Sequence, residues 1–509
     1  MGDIKINLNP QIPSIPAFDD KTKIDVRYMV ISPYVSIHIF WDDESNEVLY
    51  EVEEPILREG DWKNLIQIKE AMREIVNISF TGKDSTSEGL IDYIDKTARL
   101  IISEMGIKIE EENYHNIFYY LYRDFIGLNE IEAMMRDYFI EDVECNGVDE
   151  PLYIVHRVFR NIKTSVKFTS IDDLSNFVEK LAQKTGRHIS YSSPILDGSL
   201  PDGSRVNATY TKDITSKGPT FTIRKFTKTP WTPTQLIGFK TVSPEILAYL
   251  WILLEYKSNM MIVGGTASGK TTLLNAIAFL IPIEDRVVSI EDTRELNLPR
   301  ENWLPSVVRS GVSAEGIGEV DMFSLLRGSF RQNPDYVIVG EVRGKEASVL
   351  FQGMASGHAS ISTMHADSVE TLIRRLQTPP ISLSPVLINS LDCVAIMSHA
   401  MIKKKESRRL REITEIINVD KDGTAETNTP FAWDPGKDKF RYKKESEIFK
   451  KISKKYGVSK KDLQKEFEKR TKLFYALYKE RVYGYDEVQK VIKEYQKSPK
   501  DVLKKYGVK

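Results

Sequence analysis

Apolar strand-like runs and helical segments alternate over the second half of the chain. The runs MMIVGG (from 260), RVVSIED (from 286) and DYVIVGE (from 335) are short and mostly apolar, whereas KEASVLFQGMAS and VETLIRRLQ have helical spacing. Strands buried on both faces of a sheet form near-continuous apolar runs, and their alternation with helices is typical of parallel sheets. The pattern therefore predicts an α/β domain with a mostly parallel sheet and helices on both of its faces.

The first half of the chain has a different pattern. Residues 1–25 are polar and punctuated by proline, which indicates a flexible arm. Strand-like and helical periods are mixed over residues 26–226, which predicts an α+β domain, divisible into 26–140 and 141–226. Residues 227–240 (TKTPWTPTQLIGFK) contain two prolines and no apolar period, and this predicts a linker. Residues 241–509 then form the second domain, with a helical tail from about residue 443.

The composition of the chain indicates its cellular compartment. The 509 residues include two cysteines, Cys145 and Cys393, which argues against a disulfide scaffold and against a cysteine-rich zinc cluster. The sequence has no signal-peptide pattern and no uninterrupted apolar run of about 18 residues. We therefore expect a soluble, cytoplasmic protein.

The charge is unevenly distributed. The net charge is −2, yet residues 441–509 contain 22 basic and 10 acidic residues and so carry about +12. Such a tail suits nucleic acid, an anionic membrane face or an acidic protein, and a solvated helical face is the alternative. The aromatic residues at 118–125 are expected to pack between helices rather than to stack on bases. The basic run KKKESRRLR (403–411) is interpreted as a solvated strand or turn, with a partner or membrane contact as the alternative.

A glycine-rich loop between an apolar run and a helix carries the strongest chemical signal. The stretch GGTASGKT, from Gly264 to Thr271, matches the phosphate-loop pattern G-x-x-x-x-G-K-[ST]. The backbone N–H groups of such a loop favour phosphate, its lysine reaches the β and γ phosphates, and its threonine hydroxyl holds Mg²⁺. We therefore predict a site for ATP with Mg²⁺, formed by Gly264, Gly265, Thr266, Ala267, Ser268, Gly269, Lys270, Thr271 and Thr272.

Carboxylates follow two other apolar runs. Glu291 and Asp292 come directly after RVVSI, and Glu341 comes after YVIVG. Ligands bind beyond the carboxyl ends of parallel strands, so these groups are placed to orient or deprotonate a water that attacks the γ phosphate. A generic Walker B strand ends in Asp, but Gly340 stands at that position here, and we expect Glu341 to hold Mg²⁺ through water. Whether Glu291 or Glu341 is the general base stays open.

Histidines and arginines complete the candidate site. His358 and His365 flank the run ASISTM with no cysteine nearby, so we favour a sensor of γ phosphate or of a carboxylate, with His365 as a catalytic candidate, over a zinc ligand. Phosphoryl transfer also commonly uses an arginine that is inserted from outside the nucleotide domain. Arg205 and Arg224 are the candidates, and ordinary salt bridging is the alternative.

These motifs together resemble those of the secretion ATPase superfamily, the motors of type II and type IV secretion, type IV pili and the archaellum. The resemblance covers roughly residues 141–416. GGTASGKT resembles its Walker A motif, SIEDTREL its Asp box, YVIVGEVRG its Walker B motif and SGHASISTMHA its His box, while LPDGSRVNA and PTFTIRKF resemble its N-domain segments. The N-terminal SPYVSIHIF and the overall length are most similar to those of archaeal members, the archaellum motor above all. The lack of a four-cysteine module also agrees with an archaeal member.

The resemblance implies a RecA-like P-loop motor domain in a homo-hexamer, with Arg205 and Arg224 meeting the ATP of a neighbouring subunit. It also implies peripheral association with the inner face of the cell membrane, beside a polytopic platform protein and other filament-motor components. We therefore expect an Mg²⁺-dependent ATP hydrolase that powers an archaeal pilus-like filament, the archaellum; whether its output is assembly, rotation or both stays open. A type IV pilus or type II/IV secretion ATPase is the alternative within the superfamily. The rivals from other classes are a RecA-like nucleic-acid motor, a small-molecule kinase and a nucleotide-gated ring, and nucleic acid is not an expected partner.

Overall fold

The structure is a computed structural model of the chain. It describes residues 6–508 with the exception of positions 9, 14, 17, 19, 76–86, 310–317, 403, 404 and 444. The chain divides into two compact units, Met1–Phe226 and Thr227–Lys509. Each unit is built around its own sheet.

Nine strands form one sheet in the first unit. The strands are β1 (Asp25–Ile31), β2 (Val35–Asp42), β3 (Glu47–Glu53), β4 (Ile140–Cys145), β5 (Pro151–His156), β6 (Arg160–Lys167), β7 (Ile195–Ser199), β8 (Arg205–Thr209) and β9 (Thr220–Arg224). The helices are α1 (Glu59–Ile75), α2 (Ser87–Glu104), α3 (Glu111–Leu121), α4 (Glu132–Arg136) and α5 (Ile171–Lys184). The strand order is β1-β2-β3-β6-β5-β4-β9-β8-β7. Neighbouring strands are antiparallel except β3 and β6, so this parallel pair joins the two parts of the unit.

A buried carboxylate connects these two parts of the sheet. Asp137, which precedes β4, accepts hydrogen bonds at Oδ2 from the hydroxyls of Tyr28 (2.7 Å) and Tyr50 (2.9 Å) on β1 and β3. Its Oδ1 accepts a third hydrogen bond from the backbone N–H of Phe139 (2.8 Å). A buried carboxylate is tolerated only when it is paired in this way. The aromatic residues around 118–122 are also buried in this unit, which confirms that they serve packing.

Nine strands also form the sheet of the second unit. The strands are β10 (Met260–Gly264), β11 (Val287–Glu291), β12 (Trp303–Val307), β13 (Tyr336–Val339), β14 (Ala359–Met364), β15 (Cys393–Ile402), β16 (Lys405–Val419), β17 (Ala425–Asp434) and β18 (Lys439–Tyr442). The helices are α6 (Pro233–Gly238), α7 (Pro244–Glu255), α8 (Lys270–Ala278), α9 (Met322–Ser329), α10 (Glu346–Ala355), α11 (Val369–Gln377), α12 (Pro385–Ile388), α13 (Glu447–Tyr456), α14 (Lys460–Lys479), α15 (Tyr485–Lys497) and α16 (Pro499–Lys505). The strand order is β12-β11-β13-β14-β10-β15-β16-β17-β18.

The second sheet is parallel over its first six strands and antiparallel from β15 to β18. Successive residues of β10 enter different cores, because side chains alternate across a strand. Met260 and Ile262 pack in the core that contains α7 and α8, whereas Met261 and Val263 pack in the core that contains α10 and α11. Helices therefore cover both faces, and the predicted α/β class is confirmed.

The segment predicted as a linker contains a helix in the structure. Thr232 caps α6, Gln235 completes a capping box, and Pro233 occupies the first helical position, where its missing N–H costs nothing. The hydroxyls of Thr232 and Thr234 donate to the carbonyls of Tyr483 (3.2 Å) and Val482 (2.7 Å). The second half of the 227–240 segment is therefore part of the second unit, anchored to the turn between α14 and α15.

The basic tail forms helices α13 to α16, and its apolar face is buried. Leu473, Phe474 and Leu477 of α14 are fully buried in the same core as α7. The guanidinium of Arg470 lies 4.6 Å from the ring centroid of Trp251 on α7 and pairs with Glu255. Within the described ranges, no helix has the length and apolar character needed to cross a membrane.

Packing of the tail on α7 can be tested with neighbouring aromatic residues. We expect Phe474→Ala to destabilise the second unit by about 3–5 kcal/mol, because it removes a fully buried ring and leaves a cavity. Tyr475→Ala is the matched control, since that side chain is 59% exposed. Thermal unfolding followed by calorimetry measures both effects. Equal midpoints for the two variants would contradict the packing described for α14.

Candidate nucleotide-binding site

The glycine-rich loop lies between β10 and α8 and packs against β15. A Cβ at Gly264 would lie 2.5 Å from the carbonyl oxygen of Met397, so only glycine fits at the end of β10. Gly269 precedes α8 in the left-handed conformation, with φ of 93°. The hydroxyl of Ser268 donates to the carbonyl of Gly265 (2.8 Å) and closes the turn. The loop therefore has a defined conformation that ends at the N-terminus of a helix, where backbone N–H groups favour an anion.

Lys270 is the first residue of α8, and its ammonium group turns back over the loop. Nζ donates to the carbonyls of Gly264 (3.2 Å) and Gly265 (2.9 Å) and lies 3.3 Å from Nδ1 of His365. The residue is only 8% exposed. Burial lowers the pKa of Lys270, and the nearby carboxylate of Glu341 opposes this effect. The loop thus holds a cation at the point where phosphates would bind.

His365 joins Lys270 to the carboxylate of Glu341. Nε2 of His365 lies 2.9 Å from Oε1 of Glu341. Burial and the positive charge of Lys270 lower the pKa of His365, which favours the neutral ring. A neutral ring accepts at one nitrogen and donates at the other. Its Nδ1 therefore accepts from Lys270, while Nε2 lies close to Oε1 of Glu341, an oxygen that has no hydrogen-bond partner among the described residues.

Arg343 holds the other oxygen of Glu341. Its Nε lies 3.0 Å from Oε2 of Glu341, and its Nη1 lies 3.6 Å from Oδ2 of Asp292. The strand ends of β10, β11, β13 and β14 thus converge on one set of polar groups, as expected for a parallel sheet. Sequence reasoning did not single out Arg343, although a basic residue two positions after the candidate carboxylate was a usable signal.

Glu291, the last residue of β11, is buried and only partly satisfied. It is 1% exposed, and its Oε1 accepts hydrogen bonds from the backbone N–H groups of Glu295 (2.9 Å) and Leu296 (2.8 Å). Its Oε2 has no hydrogen-bond partner among the described residues. Burial raises the pKa of Glu291 to about 7, against the opposing effect of the two N–H groups. The carboxyl group is therefore poised to exchange a proton near neutral pH.

The close packing of Glu291 explains the glycine at the end of the Walker B strand. A Cβ at Gly340 would lie 3.1 Å from Cγ of Glu291. An Asp side chain at position 340, as in a generic Walker B strand, would therefore crowd Glu291. The position beside Gly340 is occupied by the side chain of Glu291 from β11.

The remaining histidine has an aromatic neighbour, and the two candidate arginines belong to the first unit. His358 packs its ring 4.8 Å from that of Phe330, and Nδ1 is buried without a hydrogen-bond partner among the described residues. Arg205 and Arg224 belong to the first unit and are directly opposite each other on β8 and β9. Arg205 Nη2 lies 3.0 Å from Oδ2 of Asp197, and Arg224 Nε lies 3.0 Å from Oδ1 of Asp142. The sequence did not reveal that these two arginines are neighbours.

A cluster of potential metal ligands lies in the first unit. In the described part of the chain, the donor atoms of three or more His, Cys, Asp or Glu residues come within 4.8 Å of one another at His38, Glu51 and Glu53. The guanidinium of Arg27 lies 3.2 Å from both Glu53 and His38 and already compensates this cluster.

Residues 405–411 of the run KKKESRRLR belong to β16, whereas Lys403 and Lys404 lie outside the described residues. Arg409 is 5% exposed and its Nε donates to Asp438 (2.9 Å). Arg408 donates from Nε to the carbonyl of Ala267 in the glycine-rich loop (2.9 Å). Part of this run therefore contacts the candidate site, which neither a solvated strand nor a partner contact anticipates.

The glycine-rich loop, the strand-end carboxylates and the parallel sheet define a P-loop protein of the α/β class. The chain belongs to the family of type II/IV secretion system proteins, whose model matches residues 133–435. This confirms the resemblance to the secretion ATPase superfamily.

Individual proteins are similar to this chain over different lengths. An uncharacterized protein of Methanocaldococcus jannaschii is 35% identical over 496 residues, which cover 92% of this chain and 88% of that protein. The type IV secretion system protein PtlH of Bordetella pertussis is 29% identical over 277 residues, which cover 48% of this chain and 81% of PtlH. The solved ATPase DotB of Legionella pneumophila matches 70% of this chain and 92% of its own, at 16% identity and a TM-score of 0.40.

The raised pKa of Glu291 makes stability depend on pH. A carboxyl whose pKa is raised by folding, here from 4.5 to about 7, destabilises the folded state increasingly as pH rises between these values. We expect Glu291→Gln to increase the free energy of unfolding at pH 8 by up to ~3 kcal/mol relative to wild type, and so to raise the thermal midpoint. At pH 4.5 the substitution should have little effect of this kind. Calorimetry at both pH values measures the difference.

Glu370→Gln is the control for this comparison, because Glu370 is an exposed glutamate on α11, away from Glu291 in the chain. A difference between wild type and Glu291→Gln that does not change with pH would show that Glu291 titrates normally.

Proposed function

We propose that this protein hydrolyses ATP and uses the energy to drive movement within a ring of identical subunits. The observation that carries the proposal is the contact series from Lys270 through His365 to Glu341. It joins the phosphate loop to a strand-end carboxylate, which are the two parts that phosphoryl transfer to water requires.

Lys270 is positioned to bind the β and γ phosphates. Its ammonium group now uses its donors on two loop carbonyls and on His365. Phosphate oxygens carry full negative charge, and hydrogen bonds between charged partners are roughly twice as strong as neutral ones. Bound ATP would therefore compete for the ammonium group and release His365. His365 then becomes free to respond to the γ phosphate.

The two glutamates differ in their fitness as general base. Glu291 has a pKa of about 7 and an oxygen without a described partner, which suits proton transfer near neutral pH. Glu341 is held by Arg343 and His365, which suits orientation of a water or of a hydrated cation. The turnover of Glu291→Gln and of Glu341→Gln decides which of the two carboxylates removes the proton.

The oxygen donors at this site fit Mg²⁺. Thr271 follows Lys270 in α8, and Glu341 and Glu291 are carboxylates at neighbouring strand ends. Mg²⁺ prefers such oxygen ligands and usually keeps several waters. When bound, it would neutralise charge on the phosphates. Thr271 and Glu341 are the residues that would hold it, Glu341 through water.

The substitutions Lys270→Ala and Glu341→Gln should both reduce turnover, but for different reasons. We expect Lys270→Ala to bring ATP hydrolysis to background, because phosphate charge is no longer compensated. Glu341→Gln should keep ATP binding and lower kcat by roughly 10²–10⁴, the usual contribution of a positioned acid or base. A coupled phosphate-release assay and binding of a fluorescent ATP analogue separate these effects.

Two exposed residues of the second unit provide matched controls. Lys490→Ala on α15 and Glu370→Gln on α11 change the same groups away from the loop and should leave kcat within twofold of wild type. Near-normal turnover in Lys270→Ala would refute the proposed activity. Normal turnover in Glu341→Gln combined with its loss in Glu291→Gln would move the role of the base to Glu291.

Assembly into a homo-hexamer gives Arg205 and Arg224 a function. Two guanidinium groups directly opposite each other on one ladder repel, and each is compensated by one aspartate, Asp197 or Asp142. The side chain of Arg224 is 68% exposed and can reach an anion of a neighbouring subunit. We propose that this pair completes the ATP site of the adjacent subunit, as the superfamily resemblance implies.

The arginine pair should matter only in the assembled ring. We expect Arg224→Ala to lower ATP hydrolysis by about 10³ in fractions that sediment as rings, the lower end of the effect of an inserted arginine, and to leave residual monomer activity unchanged. Lys217→Ala is the control, because Lys217 forms a comparable exposed ion pair with Glu150 in the same unit. An equal loss in monomers and rings would place Arg224 outside any shared site.

The family membership supports a role in a secretion or filament machine, and the particular machine is our proposal. Members such as PtlH are named as secretion system components, and we propose the related role of an archaellum motor for this chain. It would act on a polytopic platform protein at the inner face of the cell membrane, and the exposed lysines of α13 to α16 would face anionic lipid. A type IV pilus or a type II/IV secretion system is the alternative machine.

A further inference from the structure

Arg408 reaches the glycine-rich loop from a strand late in the chain. Strand β15 pairs with β10, with Gly264 opposite Met397, and β16 pairs with β15, with Arg408 opposite His399. Two strand pairings thus place position 408 beside a loop that precedes it by about 140 residues. This placement depends on the antiparallel extension of the sheet.

The side chain of Arg408 contacts the loop at two points. Its Nε donates a hydrogen bond to the carbonyl oxygen of Ala267 (2.9 Å). Its Cδ lies 3.3 Å from the position that a Cβ of Gly269 would occupy, so the aliphatic stem runs against the glycine. The stem and the guanidinium together cover the second half of the loop.

Ala267 is the residue of the loop that most needs such support. Its φ is 56°, a left-handed conformation that costs about 1–2 kcal/mol for a residue with a Cβ. The hydrogen bond from Arg408 fixes the direction of its carbonyl. A carbonyl turned away from the loop interior leaves the following N–H groups free to face an anion.

Two cations, Lys270 and Arg408, therefore contact different parts of the loop. Lys270 is bonded to the carbonyls of Gly264 and Gly265, at the beginning of the loop, whereas Arg408 is bonded to Ala267 near its end. Each residue brings one full positive charge to a loop of a few residues. Such an arrangement favours a ligand with several negative charges over one with few.

We propose that Arg408 is a positioning residue of the phosphate loop, which fixes Ala267 and raises the affinity for nucleoside di- and triphosphates. This inference rests on the proposed ATP site. It assigns to Arg408 a role that neither solvation nor a partner contact would provide.

The test compares Arg408→Ala with Arg411→Ala in the full-length protein. Arg411 is on the same strand and pairs with its neighbour Glu412 (3.2 Å), so its removal takes the same group from a position away from the loop. Equilibrium binding of fluorescent ATP, ADP and AMP analogues is measured, together with KM and kcat for ATP. Thermal midpoints report on the fold.

We expect Arg408→Ala to weaken ATP and ADP binding about tenfold, the effect of losing one charge-assisted interaction, and AMP binding by less than threefold. KM should rise by more than kcat falls, because the interaction is present before the transition state. Arg408→Lys should recover part of the affinity. Arg411→Ala should bind all three nucleotides as wild type does.

Unchanged ATP affinity in Arg408→Ala, or an equal loss for ATP, ADP and AMP, would overturn the proposal. If Arg408→Ala does not fold, Arg408→Gln takes its place, because the amide can still donate to Ala267 but carries no charge. It should keep the thermal midpoint and lose ATP affinity, and wild-type affinity would overturn the role of the charge. Failure of the wild-type protein to bind ATP refutes the proposed function itself, whereas these outcomes concern Arg408 alone.

Discussion

The buried ammonium group of Lys270 is the constraint on which the candidate site depends. An ammonium group that is removed from water must find acceptors nearby, since an uncompensated buried charge is strongly unfavourable. Lys270 finds them in the carbonyls of Gly264 and Gly265 and in His365. The loop can offer these carbonyls because Gly264 approaches the backbone of β15 more closely than any other residue could. The close pairing of β10 with β15 thereby determines where the ammonium group of Lys270 lies.

The charge on Lys270 also determines the protonation of its neighbours. It lowers the pKa of His365 together with burial, and the neutral ring then has one acceptor and one donor nitrogen. The acceptor faces Lys270, and the other ring nitrogen lies 2.9 Å from Oε1 of Glu341, whose Oε2 accepts from Arg343. A cation, Lys270 or Arg343, therefore lies at each end of this contact series.

The sequence predicted those features that arise from local pattern. Strands β10, β11 and β13, the glycine-rich loop and the position of Glu291 and Glu341 at strand ends follow from short apolar runs and from one motif. The convergence of these strand ends was also predictable, because parallel strands present their carboxyl ends at one edge. The family resemblance rested on the same residues and is confirmed by the match over 133–435.

Features that depend on distant partners could not be predicted. Helix α6 occupies part of the predicted linker because Thr232 and Thr234 bond to carbonyls about 250 residues later. The contact between Arg408 and Ala267 needs the register of two strand pairs, and a one-residue slip would turn Arg408 to the other face. The pairing of Arg205 with Arg224 depends in the same way on the register of β8 and β9.

The segment from Glu291 to Asn297 links the candidate site to the beginning of the second unit. Glu291 accepts from the backbone of Glu295, whose carbonyl accepts from the side chain of Asn275 on α8 (3.2 Å). The side chain of Asn275 in turn accepts from the backbone N–H of Asn297 (3.0 Å), and the side-chain amide of Asn297 donates to the carbonyl of Lys228.

Lys228 follows the last residue of the first unit by two positions. Helix α8 begins with Lys270, so the phosphate loop, the carboxyl group of Glu291 and residue 228 share one hydrogen-bonded segment. The hydrogen bonds that join α8 to Glu295, Asn297 and Lys228 therefore lie within the second unit.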